Sequence, residues 1–320
     1  ARIMKLTLDQ LRYLVALAEE GSFTRAAERV YLTQPALSVQ IRKLEEALRT
    51  RLFDRRKGTL TEAGRVAVAQ ARRVLEEVER LRLLVQGEAA CFQGPFRLGV
   101  IPTLAPYLLP RLLPELKARF PRLSLSVREE LTPGIVRGLE EGSLDAGLVG
   151  TEERHPGLRA EPLFTEAFWA YVAPGHPLFE REAVHPLEIP LEDTWVLAEG
   201  HCFRDQVLSV CRPSLGGRSV EFQSGDLETL VRLVDAAGGL TLLPEVALWT
   251  LSPAQRTRLR PLSPPGAGRT VYLLFREGSL KAPLLRALAE EVRRAFALLR
   301  SNARAQESAM MGAEVRHDQG

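Results

Sequence analysis

The stretch F-T-R-A-A-E-R-V-Y-L-T-Q-P-A-L-S-V-Q-I-R-K-L-E-E-A-L, Phe23 to Leu48, decides the fold of the first part of this chain. It predicts a short helix whose paired alanines let another helix approach closely, then a brief connection and a longer helix. Thr33 is a good N-cap for the longer helix, and Pro35 lies in its first turn, where a missing N–H costs nothing. With the helical apolar spacing of residues 8–18 upstream, the pattern predicts three packed helices.

The longer helix has two chemically different faces. Its apolar positions recur at helical spacing: Ala36, Leu37, Ile41, Leu44 and Leu48. Short polar side chains near a helix N-terminus, followed by a basic residue, are typical of a helix that reads bases in the major groove of DNA. The candidate contacts are Gln34, Pro35, Ser38, Gln40 and Arg42. The alternative is a helical bundle whose polar face is only solvated.

A basic hairpin is predicted directly after this helix. Residues 51–61 read R-L-F-D-R-R-K-G-T-L-T, with Arg55, Arg56 and Lys57 at the tip. Cations at the tip of a hairpin can contact phosphates or enter the minor groove. The charge balance favours the same polyanionic partner, because residues 1–90 carry 17 Lys and Arg against 12 Asp and Glu, whereas the rest of the chain carries 26 against 28.

The stretch from Leu11 to Arg56 resembles the winged helix-turn-helix of LysR-type transcription regulators. The match is carried by Phe23, Ala26, Ala27, Gln34 to Ser38, Ile41, Leu44, Glu45, Leu52, Phe53 and residues 61–64. The resemblance implies that double-stranded promoter DNA is the partner, read by the longer helix and by the hairpin as a wing. The chain departs from the family at Arg49, where a glycine is usual, and in a shorter wing.

A long helix that pairs two copies of the chain is predicted after the wing. One face carries apolar residues at steps of three and four: Leu60, Ala63, Ala67, Ala71, Val74, Val78, Leu81 and Val85. Arg and Glu fill the other faces, which is typical of a two-helix seam. A helix of about 25 residues is ~37 Å long, enough to hold two DNA-reading helices apart. The alternative is a helix packed on its own domain.

Residues 93–300 are predicted to form an α/β region. Apolar strands alternate with helices, first near 123–130 and 146–150, and again near 168–174, 195–200 and 239–244. Such alternation favours a parallel sheet with helices on both faces. The family resemblance implies an effector domain with two lobes, similar to periplasmic binding proteins, and a ligand cleft between the lobes.

We therefore expect an N-terminal all-α winged helix-turn-helix, a long linker helix and a C-terminal α/β two-lobed, periplasmic-binding-protein-like effector domain. The predicted boundaries are 1–62 for the DNA-binding domain, 63–92 for the linker and dimerisation helix, 93–300 for the regulatory domain and 301–320 for a disordered tail. Lobe I comprises 93–165 and 266–300, and lobe II comprises 166–265.

Two of the three cysteines lie in G-H-C-F-R-D-Q-V-L-S-V-C, Gly200 to Cys211. The spacing leaves a metal site, a structural disulfide, two buried apolar thiols and a redox switch as possible interpretations. One His and two Cys lack the usual spacing of a zinc site, so we expect no metal. Three scattered cysteines are too few for a secreted disulfide framework. For Cys91 we expect a buried apolar thiol.

This cysteine motif resembles that of the hydrogen-peroxide-sensing subgroup of the same family, the OxyR-like regulators. The resemblance extends to residues 101–110 and 226–244. It implies that Cys202 is the thiol that reacts with peroxide and that Cys211 resolves it. The implied peroxide-pocket residues are Thr103, His201, Arg204, Asp205 and, as a further candidate, Thr132. A neighbouring His or Arg and helix N-terminal amides favour the reactive thiolate form of a cysteine.

Geometry restricts what the cysteine pair can do. A disulfide needs Cα atoms less than about 7 Å apart. Nine helical residues separate two Cα atoms by ~13.5 Å, and nine extended residues by roughly 30 Å. If a helix follows Cys202, the bond to Cys211 requires the segment to refold, so that oxidation would select a second conformation.

The sequence thus predicts a homotetrameric regulator that binds promoter DNA, responds to hydrogen peroxide through Cys202 and Cys211, and contacts RNA polymerase. It also predicts a protein that is not an enzyme, uses no cofactor and works in the cytoplasm without a membrane partner, since no apolar run approaches 18 residues. Two alternatives remain open: a regulator of the same family that binds a small inducer between the lobes, and a thiol peroxidase.

Overall fold

The computed structural model describes residues 6–211 and 225–317. The chain divides into two compact units, Ala1–Cys91 with Glu140–Ser143, and Phe92–Leu139 with Leu144–Gly320. Among the residues described, every helix falls short of the length and hydropathy that a bilayer crossing needs.

The first unit is helical with a small hairpin. Its elements are α1 (Leu8–Glu20), α2 (Phe23–Arg29), α3 (Gln34–Leu48), β1 (Phe53–Asp54), β2 (Thr59–Leu60) and α4 (Glu62–Gln86). Leu14, Leu17 and Leu37 are among its fully buried core residues. Thr33 caps α3 through its side chain, as the sequence predicts. The core therefore forms from the apolar faces of short amphipathic helices, whose positions are set by local periodicity.

The wing is attached firmly to the helix before it. The side chain of Glu45 accepts hydrogen bonds from the backbone N–H groups of Leu52 and Phe53 at 2.8 and 3.2 Å. The Phe53 ring packs edge-on against Phe23, with ring centroids 5.1 Å apart. These contacts fix the direction in which β1 leaves α3.

The predicted apolar seam of α4 is divided between two environments. Ala71 is buried in the core of the first unit, and Ala63 and Ala67 pack against that core. In contrast, the side chains of Leu81 and Val85 are 62% and 77% exposed. The first half of the stripe thus packs on its own domain, which was the alternative interpretation, because small side chains let α4 lie close to the three-helix core. The second half is open to a partner.

The second unit contains the remaining elements. Its strands are β3 (Gly94–Val100), β4 (Leu123–Glu129), β5 (Ala146–Val149), β6 (Leu158–Val172), β7 (Leu240–Pro244), β8 (Leu259–Pro261) and β9 (Gly268–Arg276). Its helices are α5 (Ala105–Arg119), α6 (Thr132–Glu140), α7 (Cys202–Val210), α8 (Leu227–Ala237), α9 (Pro253–Arg256) and α10 (Ala282–His317).

The sheet of this unit is mixed, so the prediction of a parallel sheet is confirmed for β3, β4 and β5 and wrong for the other strands. The strand order is β4-β3-β5-β9-β6-β7, with β8 paired to β6. Only β3 with β4 and β3 with β5 are parallel pairs among the described strands; β9 is antiparallel to β5 and β6, and β7 and β8 are antiparallel to β6. The antiparallel pairs arise because β6 takes the chain from the sheet of β3, β4 and β5 to β7 and β8, and β9 brings it back in the opposite direction.

Strand β6 joins the two lobes. Residues 158–167 pair with β9, and residues 168–172 pair with β7. A regular strand predicted over 195–200 is absent from the described residues; instead, Thr194 forms an isolated bridge with Leu240, and Gly200, with φ +92°, turns the chain into α7. This left-handed backbone favours glycine.

The end of the chain differs from the predicted disordered tail. Helix α10 continues to His317, well past the predicted end of the domain at residue 300. The segment is rich in Ala, Glu, Gln and Met, which have high helix propensity and outweigh a lone Gly312.

Candidate functional site

The candidate DNA-reading face is formed by the exposed side of α3. Gln34, Pro35 and Arg42 are exposed, and Ser38 is half-buried. At 3.6 residues per turn these four positions fall within about 100° of one another, whereas Gln40 lies about 120° or more from each of them. The structure therefore brings four of the five predicted residues together and places Gln40 on the opposite flank of the helix.

The three predicted wing cations lie together at the hairpin tip. Arg55, Arg56 and Lys57 are all exposed. The Asp54 carboxylate accepts hydrogen bonds from the backbone N–H groups of Arg56 and Lys57 at 2.9 and 3.2 Å. This turn presents the cationic side chains to solvent, a suitable arrangement for contacts with phosphate.

Cys202 is the first residue of α7 and is half-buried. The first N–H groups of a helix have no intrahelical acceptor, and their dipoles favour a negative charge nearby. His201 precedes the helix and is buried; burial lowers the pKa of its imidazole, so the ring is neutral at neutral pH. The neutral ring can therefore donate or accept a hydrogen bond beside this thiol.

A small cavity lies against Cys202. It is lined by Ile101, Pro102, Thr103, Leu131, Thr132, Gly200, His201, Cys202 and Phe203. About 10 Å³ is open to a water-sized molecule, which is close to the minimum that one water needs. Three of the five predicted pocket residues, Thr103, Thr132 and His201, therefore meet Cys202 in a space suited to a ligand with very few heavy atoms.

Thr103 is held in the cavity wall by a buried arginine. The Arg269 guanidinium donates to the Thr103 hydroxyl oxygen at 2.8 Å and to its carbonyl oxygen at 3.3 Å. Its third contact is an ion pair with Glu166 at 2.8 Å. Because Thr103 accepts a hydrogen bond from Arg269, its own hydroxyl proton is available to a ligand.

The ion pair also links the strands that join the lobes. Glu166 on β6 lies directly opposite Arg269 on β9. Its second oxygen accepts a hydrogen bond from the backbone N–H of Val246 at 2.8 Å. Burial raises the pKa of Glu166, while the Arg269 cation and the Val246 N–H oppose that rise. Arg269 and Glu166 were not predicted, although a charge inside an apolar strand is a usable signal of a buried functional pair.

Two buried polar atoms near α7 lack protein partners. The Thr132 hydroxyl has none, and neither has the Gln206 side-chain oxygen, although the Gln206 amide donates to the carbonyl of Gly150 at 2.8 Å. Buried polar groups are normally hydrogen-bonded. Since Thr132 lines the cavity, its hydroxyl can form a hydrogen bond with a ligand or a water there.

Arg204 and Asp205 are not among the residues lining the cavity, unlike the prediction. The Arg204 guanidinium instead donates to the carbonyl oxygen of Leu197 at 3.1 Å. Asp205 is exposed in the first turn of α7, where a carboxylate stabilises the helix terminus. The helical conformation of the segment turns both side chains away from the cavity.

Cys211 lies at the other end of α7 and is buried, with 4% of its surface exposed. Burial raises the pKa of its thiol to about 11, although a hydrogen bond with Thr194 opposes the rise. None of the three cysteines is in a disulfide, and Cys91 is also buried. Nine helical residues place the Cα atoms of Cys202 and Cys211 ~13.5 Å apart, so a disulfide cannot close while α7 is intact.

No group of three or more His, Cys, Asp or Glu side chains forms a potential metal site within 6–211 and 225–317. Part of the segment after Cys211, residues 212–224, lies outside the described residues. Of the 200–215 loop, which is predicted to refold on oxidation, the structure therefore describes only residues 200–211. Most of that part is helical.

Family models match most of the chain. Residues 8–65 match the bacterial regulatory helix-turn-helix protein, lysR family, and residues 90–297 match the LysR substrate binding domain. The DNA-binding transcriptional dual regulator OxyR of Escherichia coli is 36% identical over 294 residues, which cover 90% of this chain and 95% of that protein. The hydrogen peroxide-inducible genes activator of Haemophilus influenzae is 36% identical over 276 residues, 86% of this chain and 92% of that protein.

Solved structures agree with these relatives. A full-length OxyR variant from Pseudomonas aeruginosa has a TM-score of 0.75 and 34% identity, covering 90% of this chain and 98% of that one. A cysteine variant of Corynebacterium glutamicum OxyR with bound hydrogen peroxide has a TM-score of 0.63 and 28% identity, covering 95% of this chain and 96% of that one. The chain therefore belongs to the LysR family of helix-turn-helix transcription regulators, in the group that contains the OxyR proteins.

Proposed function

We propose that this protein is a hydrogen-peroxide-sensing transcription regulator that is switched by oxidation of Cys202. The observation that carries the proposal is the small polar cavity at the N-terminus of α7, where Cys202 meets Thr103, Thr132 and His201. Names of relatives such as the hydrogen peroxide-inducible genes activators support the same function.

The proposed reaction needs only peroxide and the thiolate. The Cys202 sulfur attacks one peroxide oxygen, the O–O bond breaks, and the other oxygen leaves as hydroxide, which takes up a proton to become water. Sulfur is oxidised to a sulfenic acid as peroxide is reduced. The hydroxyl protons of Thr103 and Thr132 can stabilise the departing oxygen, and the neutral His201 ring can donate or accept a proton.

The second step would convert this local oxidation into a conformational change. The Cys211 thiol displaces water from the sulfenic acid and a disulfide forms. Because the helix must unwind first, two contacts of α7 would break. The first is the hydrogen bond from the Gln206 amide to the carbonyl of Gly150, and the second is the edge-on contact between Phe203 and Phe168, whose ring centroids lie 4.9 Å apart while α7 is helical. Reduced and oxidised chains would thus be two different packings of one domain.

DNA recognition is assigned to α3 and the wing. Gln34, Pro35, Ser38 and Arg42 would face the major groove, and the cations Arg55, Arg56 and Lys57 would contact the backbone. The exposed apolar half of α4 would pair two copies. We further propose that two such dimers form a tetramer, that the protein contacts RNA polymerase and that it acts in the cytoplasm. The proposal includes no cofactor and no catalytic turnover.

The nearest alternative is a family member that responds to a small organic inducer. It would leave the cysteines unreactive and would need more room than the Cys202 cavity offers. A larger cavity of about 150 Å³ does lie beside α8 and is lined in part by Tyr107, Leu243 and Gln255. A thiol peroxidase is less well supported, because an enzyme needs neither the DNA-reading helix nor the pairing helix.

A footprinting experiment tests the proposed function. Operator DNA is first selected from a random duplex library with the reduced protein, and footprints are then compared before and after treatment with micromolar hydrogen peroxide. We expect the footprint to change with the native chain, and not with Cys202→Ser. An unchanged native footprint with three unreacted thiols favours the inducer-binding regulator. Sustained peroxide consumption with a thiol reductant, without DNA binding, favours the peroxidase.

A further inference from the structure

The cavity at Cys202 is bordered on its solvent side by an apolar wall. Of its nine lining residues, Gly200 is exposed and Pro102, Leu131 and Cys202 are half-buried, whereas the other five are buried. We take these four partly exposed residues as the border of the cavity towards solvent. Leu131 has the largest apolar side chain among these four.

Leu131 and Gly200 lie against each other across this border. An ideal Cβ added to Gly200 would lie 3.2 Å from the Cδ1 atom of Leu131. That separation is shorter than an ordinary van der Waals contact, so the Leu131 methyl group occupies the place that a side chain on residue 200 would need. Gly200 also has φ +92°, a conformation that side-chain-bearing residues rarely adopt.

The backbone of Leu131 is fixed in place. Its carbonyl oxygen accepts hydrogen bonds from the N–H groups of Gly134 and Ile135 at 2.9 and 3.0 Å, at the start of α6. The neighbouring residue, Thr132, begins α6 and is buried in the cavity wall. Leu131 can therefore widen the border only by changing its side-chain rotamer, not by moving away.

These observations bear on which peroxides reach the thiol. Hydrogen peroxide has two heavy atoms, whereas an alkyl hydroperoxide also carries a carbon group. When the oxygens of an alkyl hydroperoxide reach Cys202, that carbon group has to lie at the border formed by Leu131 and Gly200. A single extra methylene at a tight site changes reactivity by roughly 10–200-fold. Polar wall groups alone would not discriminate, since both kinds of peroxide can form hydrogen bonds with Thr103 and Thr132.

We propose that Leu131, whose side chain lies beside Gly200, is a steric filter that makes the sensor selective for hydrogen peroxide over alkyl hydroperoxides. The inference rests on the proposed function, because it assumes that Cys202 reacts with peroxide. It assigns a specificity role to two residues that supply no reacting group.

The test compares rates of Cys202 oxidation by hydrogen peroxide and by tert-butyl hydroperoxide. All proteins carry Cys211→Ser so that oxidation stops at the sulfenic acid, which is trapped with dimedone and quantified on the Cys202 peptide by mass spectrometry. Leu131→Ala should raise the ratio of the tert-butyl to the hydrogen peroxide rate by on the order of tenfold or more. Leu187→Ala, which truncates a leucine that is 65% exposed outside the cavity, should leave the ratio unchanged.

A second pair of variants separates steric closure from backbone strain. Gly200→Ala should slow oxidation by hydrogen peroxide, because its new methyl group meets Leu131. Adding Leu131→Ala to Gly200→Ala should restore most of that rate if closure is the cause. A double variant as slow as Gly200→Ala would show that this loss comes from strain at φ +92° and not from contact with Leu131, and the rate ratio of Leu131→Ala then decides on the filter.

The outcomes keep the two proposals apart. If hydrogen peroxide produces no sulfenic acid at Cys202, the proposed function fails. If the sulfenic acid forms but Leu131→Ala leaves the rate ratio as it was, the filter is wrong and peroxide sensing stands. A native ratio near one would also overturn the filter.

Discussion

At the scale of single residues, the two proposed redox cysteines differ in their surroundings. Cys202 is half-buried at a helix N-terminus beside polar groups, whereas Cys211 is buried at the helix end. The sequence motif predicted a pair of thiols but not this difference, because the burial of each depends on lobe packing. This difference in burial is suited to one thiol, Cys202, that reacts with peroxide directly. The other, Cys211, can react only after α7 unwinds.

The pH dependence of alkylation tests the state of Cys211. With its pKa raised to about 11 by burial, only about one thiol in a thousand is ionised at pH 8, against roughly a quarter for an ordinary cysteine. Iodoacetamide should therefore label Cys211 of the reduced native protein at least ~100-fold more slowly than in the unfolded chain, and the native rate should rise about tenfold per pH unit up to pH 11. Peptide mass spectrometry measures both. Equal native and unfolded rates at pH 8 would contradict this account.

Arg49 illustrates a local departure from the family that has a measurable cost. The sequence departs from the usual glycine there, and Arg49 ends α3 in the left-handed conformation with φ 52°. A side chain in this region costs about 1–2 kcal/mol, partly offset by the greater freedom of an unfolded glycine. Arg49→Gly should therefore stabilise the first unit by ~0.5–1 kcal/mol in thermal unfolding. Arg49→Ala, which removes the charge but keeps the Cβ atom, should not; equal stabilisation by both would exclude backbone strain as the cause.

At the scale of helices and strands, local patterns predicted more than pairing patterns did. Helices α1, α3 and α4 and the wing follow from apolar periodicity, caps and turn residues. The direction of β9 did not follow, because antiparallel pairing with β5 and β6 is set by contacts far apart in sequence. The sequence also did not show which half of the α4 stripe packs on its own domain, since a stripe of alanines looks the same whether it faces its own domain or a partner.

The two flanks of α3 make different predictions for DNA binding. Ser38→Ala should weaken binding to the selected operator by about 1–3 kcal/mol, the usual value of a base contact. Gln40→Ala, on the opposite flank, should change it by less than ~0.5 kcal/mol, as other surface substitutions do. Fluorescence anisotropy with a labelled duplex at fixed salt measures both. A larger loss from Gln40→Ala would show that the helix enters the groove in another orientation.

The exposed half of the α4 stripe should hold two copies together. Leu81→Arg places a charge on that stripe, where desolvating it would oppose pairing. We expect the mass in sedimentation experiments to fall to a smaller oligomer at micromolar concentration, with weaker operator binding. Leu187→Arg, at another highly exposed leucine, is the matched control and should keep the native mass. An unchanged mass for Leu81→Arg would exclude this stripe as the interface.

At the scale of the whole regulatory unit, the Glu166–Arg269 ion pair connects the cavity at Cys202 with the strands that join the lobes. Arg269 reaches Thr103, which lies 166 positions away in sequence, and its guanidinium lies 5.3 Å from the centre of the Phe203 ring in α7. No local motif predicts such a contact, whereas the cysteine motif and the threonines were visible in the sequence. The arrangement connects the cavity wall, the reactive helix and the two strands that join the lobes.

The central claim is that Cys202 and Cys211 form a peroxide-dependent disulfide that requires α7 to unwind. Its most direct test is to add one equivalent of hydrogen peroxide to the reduced protein, count free thiols and map disulfides by mass spectrometry. We expect the number of reduced thiols to fall from three to one, Cys91, and a linked Cys202–Cys211 peptide to appear. Three remaining free thiols, or oxidation of Cys91 with Cys202 intact, would contradict it.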